Sequence, residues 1–128
     1  MLNTHHASKP EIHVTDRDRE ILERLASGVR AASEVAEELM RELERAGTAK
    51  DGDAENYVGL GTKLTFATSA GEEKTVELVM PAEADISAGK ISIMTPVGVA
   101  LLGLSKGQTI EWNARDGRAG TLTIVEIF

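Results

Sequence analysis

Apolar positions recur every three to four residues early in the chain and every second residue later. That change of period divides the molecule before any other property is considered. In "VTDRDREILERLAS", from Val14, Ile21, Leu22 and Leu25 share one face of a helix. Thr15 is placed as its N-cap, with Asp18 in the favourable first turn, and Gly28 as its stop. A second helix is predicted from Ser33, an N-cap with Glu34 in the first turn. Val35, Leu39 and Leu43 are spaced by four, Ala46 flanks them, and Gly47 stands as the C′ residue. Each helix would be roughly 18–23 Å long at 1.5 Å per residue. The intervening "SGVRAA" suits an antiparallel turn, so residues 14–47 read as a short helical hairpin. A pair this short is marginal alone and is expected to lean on the rest of the chain.

Residues 48–57 are polar and turn-rich and read as a linker, while residues 1–13 read as a flexible N-terminal tail. From residue 58 to 128 the period is two. "TKLTFAT" and "KTVELVM" form a predicted hairpin, with Leu64 and Phe66 on one face of the first and Val76, Leu78 and Met80 on one face of the second. Pro81 ends that pair, "AEADISAGK" connects, and "ISIM" is a short strand. Thr95-Pro96 then sets a cap before a proline at the first helical position. Val97, Ala100, Leu101 and Leu104 give the following helix its apolar face, and Gly98 would permit close backbone packing. Gly103 and Gly107 frame the exit. "QTIEWNA" and "GTLTIVEIF" are strands around a turn at Asp116-Gly117, the latter with Leu122, Ile124 and Glu126 on one face. The expectation is an α+β chain: a helical hairpin, then a curved antiparallel sheet packed on one short helix.

Composition narrows the chemistry. Lys and Arg total 14 against 21 Asp and Glu, a formal charge of −7, which opposes long-range attraction to a nucleic-acid backbone. No direct sequence-specific nucleic-acid binding is expected. Cysteine is absent, which removes disulfides and thiolate chemistry. No apolar run approaches the roughly 20 residues of a membrane span, and "MLNTHHASKP" lacks the apolar stretch of a secretion signal, so a cytoplasmic protein without membrane contact is expected.

Candidate reactive groups are few. His5 and His6 lie in the tail, and His13 has no local ligand pattern. Asp51, Asp53 and Glu55 lack the spacing of a calcium loop. Gly98, Gly103 and Gly107 form neither GxGxxG nor a phosphate loop. Arg17, Arg24, Arg41 and Arg45 suit a solvated face laced by ion pairs, or contact with an acidic partner. The hairpin tip carries Arg30 and no carboxylate, whereas delivery of a catalytic magnesium ion needs at least one acid. Catalytic, cofactor and metal residues are therefore assigned to none.

The stretch "ISIMTPVGVALLGLSKGQTIEW" resembles the C-terminal signature of the GreA/GreB transcript-cleavage-factor family, and with "VTDRDREILERLAS" and "VELVMPAEADISAGK" it is similar to the Rnk branch. The likeness runs from about Ile12 to Ile127. The resemblance implies an FKBP-like C-terminal domain behind a short coiled coil, with Thr95, Pro96, Gly98, Leu101, Leu102, Gly103 and Gly107 as its structural signature. It also implies a partner, bacterial RNA polymerase, bound near the secondary channel. Gre factors of this family carry tip acids that help hold the catalytic magnesium. Rnk-like members have a shorter coil and compete for or modulate the same region without stimulating cleavage. On that reading Ser105, Lys106, Gln108 and Arg30 are the candidate contact residues. Two alternatives follow: a true cleavage-stimulating factor, or a prolyl isomerase using an FKBP-like pocket.

Overall fold

The computed structural model describes residues 9–29, 33–50, 52–113 and 119–128. A two-residue strand, β1 (His13–Val14), leads into helix α1 (Asp16–Val29). Thr15 caps α1 by accepting the Asp18 amide at 3.1 Å. The helix runs through Gly28 rather than stopping there. A glycine terminates a helix when it adopts a left-handed conformation; inside the last turn it merely lowers stability by about 1 kcal/mol. Helix α2 (Glu34–Arg45) begins at Ser33, whose hydroxyl accepts from the Ala36 amide. It ends in an extended Ala46, and the chain passes into β2 (Gly47–Thr48), parallel to β1. Gly47 is thus not a helix-ending left-handed residue. A Cβ there would stand 2.9 Å from the His13 ring, so the glycine makes room for the imidazole.

The two helices meet through Leu22 and Ala26 on α1 and Ala36, Leu39 and Leu43 on α2, all fully buried. The buried stripe is rotated from the expected one towards the two alanines, which let the backbones come close. That rotation also carries Glu42 inward.

The rest of the chain builds one five-stranded sheet from β3 (Lys63–Thr68), β4 (Glu73–Val79), β5 (Lys90–Ser92), β6 (Thr109–Asn113) and β7 (Ala119–Ile127), in the order β5-β4-β3-β7-β6. The expected hairpin of β3 and β4 forms, pairing Leu64 with Val76. The expected FKBP-like, all-antiparallel sheet does not. Strand β5 runs parallel to β4, with Leu78 opposite Ile91, so the sheet is mixed. The chain between them makes two short 3₁₀ turns, Pro81–Glu83 and Ile86–Ala88, and these carry it back to re-enter in the same direction. The predicted turn at Asp116-Gly117 lies outside the described residues.

A register shift opposite Thr65 and Phe66 marks a bulge in β7. Beyond it Ile127 pairs with Leu64 on the core face, and Glu126 pairs with Thr65 on the open face. One extra residue reverses the side-chain alternation, which is why Glu126 does not join Leu122 and Ile124. Helix α3 (Pro96–Leu101) covers the core face. Leu101, Leu102 and Leu104 from this segment, Leu64, Phe66 and Leu122 from the sheet, and Ile12, Leu39 and Leu43 from the hairpin belong to one continuous core. Each such side chain contributes on the order of 1.5–3 kcal/mol by leaving water.

Candidate functional site

The segment from Ser92 to Gln108 is a closely hydrogen-bonded frame. The Thr95 hydroxyl accepts from the Gly98 amide at 3.0 Å and donates to the Ser92 carbonyl at 2.7 Å, so it both caps α3 and fixes the turn before it. Pro96 occupies the first turn, where no amide is needed. A Cβ on Gly98 would overlap the Ser92 carbonyl oxygen and reach within 2.9 Å of the Ile93 Cα. Leu101 and Leu102 are wholly buried. Gly103 takes φ +79° and exchanges bonds in two directions, donating to the Val58 carbonyl and accepting from the His13 amide. Gly107 takes φ +90° in open space and serves the turn into β6.

The candidate contact residues differ in their freedom. Lys106 is exposed and lies 3.1 Å from Glu126 across the sheet margin. Ser105 is half-buried, and its amide donates to the Gln108 side chain at 2.8 Å. Gln108 is half-buried and already engaged, since its Nε2 also donates to the Glu11 carbonyl at 3.0 Å. Arg30 lies outside the described residues, as do His5 and His6.

Beside this frame, a concavity of about 530 Å³ opens between α2, α3 and the far ends of β6 and β7. Pro96, Val99 and Trp112 give it an apolar floor, and Lys9, Arg41 and Glu42 stand around it. Glu42 is 5% exposed, and its two carboxylate oxygens are held separately. Oε1 accepts twice from the Arg45 guanidinium, and Oε2 accepts from Lys9 at 3.1 Å. Two cations around one buried carboxylate offset its desolvation. The sequence carries a faint sign of this: Glu42 stands beside Leu43 on the apolar stripe and three residues after Leu39, where a solvated acid is out of place.

A second concavity, about 410 Å³, lies at the base of the hairpin near His13, Asp18 and Tyr57. The His13 and Tyr57 rings are 4.6 Å apart, and the buried His13 Nδ1 has no hydrogen-bond partner among the described residues. Asp18 does not close a capping box; its carboxylate accepts from the Leu60 amide at 3.0 Å. Beside β5, the Ser87 hydroxyl, with the Ala88 and Ser87 amides, holds the exposed Asp85 carboxyl below the usual carboxylate range. Among the described residues no three His, Asp or Glu side chains converge as a metal-binding group would. No described helix is long and apolar enough to cross a membrane.

Comparison with known proteins agrees over both parts of the chain. Residues 53–128 match the family "Transcription elongation factor, GreA/GreB, C-term", and residues 10–47 match "Rnk N-terminus". The "Regulator of nucleoside diphosphate kinase" of Escherichia coli K12 is 33% identical over 123 residues, covering 94% of this chain and 90% of that protein. The transcription elongation factor GreA of Agrobacterium fabrum is 40% identical over 67 residues, 47% of this chain and 42% of its own. Among solved structures, a GreA/GreB elongation factor from Nitrosomonas europaea superposes with a TM-score of 0.72 at 35% identity, over 93% of this chain and 98% of that one. By these likenesses the architecture is of GreA/GreB type, a coiled coil with a mixed-sheet domain, and not the expected FKBP-like one.

Proposed function

The chain belongs to the GreA/GreB family, in its Rnk branch, and from that membership we propose a non-catalytic regulator that docks on bacterial RNA polymerase near the secondary channel. There it competes with or modulates Gre-type factors. The observation that carries the reading is the match over both parts at once, hairpin and sheet domain, to a protein named as a regulator.

The hairpin supports it. The 14 residues of α1 reach roughly 21 Å at 1.5 Å per residue. No carboxylate occurs between Leu25 and Ser33. Such a hairpin supplies neither the reach nor the acids for holding a distant magnesium ion. In this reading residues 58–128 form the docking domain and residues 14–47 the projecting hairpin, joined through residues 48–57. Lys106 and Ser105 make the contact, Gln108 holds their loop in shape, and Arg30 meets the channel entrance. The working compartment is the cytoplasm, where the polymerase is.

Purified core polymerase tests this directly. Saturable binding that a Gre-type factor displaces is expected, with no shortening of RNA in a backtracked complex. Folded protein that shows no saturable binding overturns the reading. Magnesium-dependent shortening would make the chain a cleavage factor instead.

A further inference from the structure

Residues 10–14 lie as an extended strap between the hairpin and the sheet domain, and their backbone bonds alternate between the two. The Pro10 carbonyl accepts from Arg45 at 2.6 Å, the Ile12 carbonyl from the Gly47 amide at 2.9 Å, and the Val14 carbonyl from the Ala49 amide at 2.8 Å. All three partners belong to α2 or the chain leaving it. The intervening residues bond the other way. The Glu11 carbonyl accepts from Gln108 at 3.0 Å, and the His13 amide donates to the Gly103 carbonyl at 3.1 Å. An extended chain turns successive polar groups to opposite sides, so one strap serves both bodies.

A single strip of bonds could still act as a hinge. A second anchor lies off that strip: Asp18 on α1 accepts from the Leu60 amide at the entrance to β3. The approach is close enough that a Cβ on Gly59 would stand 2.6 Å from the Asp18 Oδ2. The buried side chains of Ile12 and Val14 fill the same core as both bodies.

We propose that the strap and the Asp18 anchor form a fixed joint, which sets the direction of the helical hairpin before any partner binds. Asp18 and Gln108 are its positioning residues. The use made of the joint rests on the polymerase-docking reading, but its geometry does not. Docking then spends nothing on ordering the two bodies, the gain that preorganisation brings.

The chain has no cysteine, so two can be introduced for spin labels without removing any. Glu23→Cys on α1 and Glu73→Cys on β4 are both exposed positions. Pulsed electron resonance on the full chain with an intact joint is expected to give one narrow distance. Adding Asp18→Ala and Gln108→Ala is expected to at least double its width with helix content unchanged, and to weaken polymerase binding several-fold. A broad or two-peaked distance with the joint intact, or an unchanged width in the double variant, overturns the proposal. Should the double variant not fold, Gln108→Ala alone must speed amide exchange at His13 several-fold; unchanged exchange counts against the joint. A narrow distance in protein that never binds polymerase leaves the joint standing and defeats the docking reading.

Discussion

The amide of His13 donates to the carbonyl of Gly103 at 3.1 Å, and the Cβ that Gly103 lacks would stand 3.2 Å from that same His13 amide nitrogen and 2.7 Å from the Ile12 Cβ. The start of the hairpin therefore passes against the exit of α3 at a point where no side chain fits. Gly103→Ala should cost about 2–4 kcal/mol, the left-handed backbone and the overlap adding together. Gly107→Ala, equally left-handed but with open space around it, should cost only about 1–2 kcal/mol. Urea unfolding of the two variants measures the difference; equal losses would remove the overlap from the account.

Glu42 joins Lys9 and Arg45 from inside the margin of the core. Glu42→Gln keeps the volume and removes the charge. A loss of about 1–3 kcal/mol is expected, below that of a wholly buried pair because both cations retain solvent. Added salt should narrow the gap between the variant and the parent in the same unfolding measurement.

Lys106 faces solvent and pairs with Glu126 at 3.1 Å. Lys106→Glu should change stability by less than about 1 kcal/mol. It should raise the dissociation constant for core polymerase by about tenfold, or about 1.4 kcal/mol. Titration of labelled polymerase checks both the affinity and, through competition, the site.

Acids can be placed at the hairpin tip by Val29→Asp with Arg30→Asp. Shortening of RNA in a backtracked complex should remain at the level of polymerase alone, because two short helices still lack the reach. Stimulated cleavage by that variant would show that tip chemistry, not length, separates this chain from a cleavage factor.

Asp85 accepts from the Ser87 amide and hydroxyl, and its carboxyl titrates below the ordinary aspartate range. A depressed acid contributes stability that is present above the unfolded value and lost as pH falls through the folded one. The contribution of the 85–90 turn is thus expected intact through neutral and mildly acidic pH and lost only under stronger acid. A carbon NMR titration of Asp85 reads the midpoint, and Ser87→Ala should move it upward.

The chain's own pattern was enough for the helix caps and the alternating strands, whose causes are local. Thr15, Ser33 and Thr95 cap their helices from three residues away, so residue type and spacing identify them. Leu64 and Phe66 alternate with polar neighbours, and their burial follows. The GreA/GreB and Rnk likeness was legible for the same reason, since it rests on contiguous residues. Of the candidate contacts, Lys106 could be named as exposed from its place in a polar turn.

Tertiary structure decided what depends on segments far apart in the chain. The direction of β5 was invisible because its partner, β4, lies across a connection whose composition fits either orientation. Gln108 reads as a candidate contact residue until folding brings the Glu11 carbonyl within 3.0 Å of its side chain. Gly47 looks like a helix stop until the His13 ring occupies the space beside it. Sequence fixes local geometry because backbone sterics and hydrogen bonds act over a few residues. Whether two distant segments leave room for one another, or meet as donor and acceptor, is settled only when the core has closed around both.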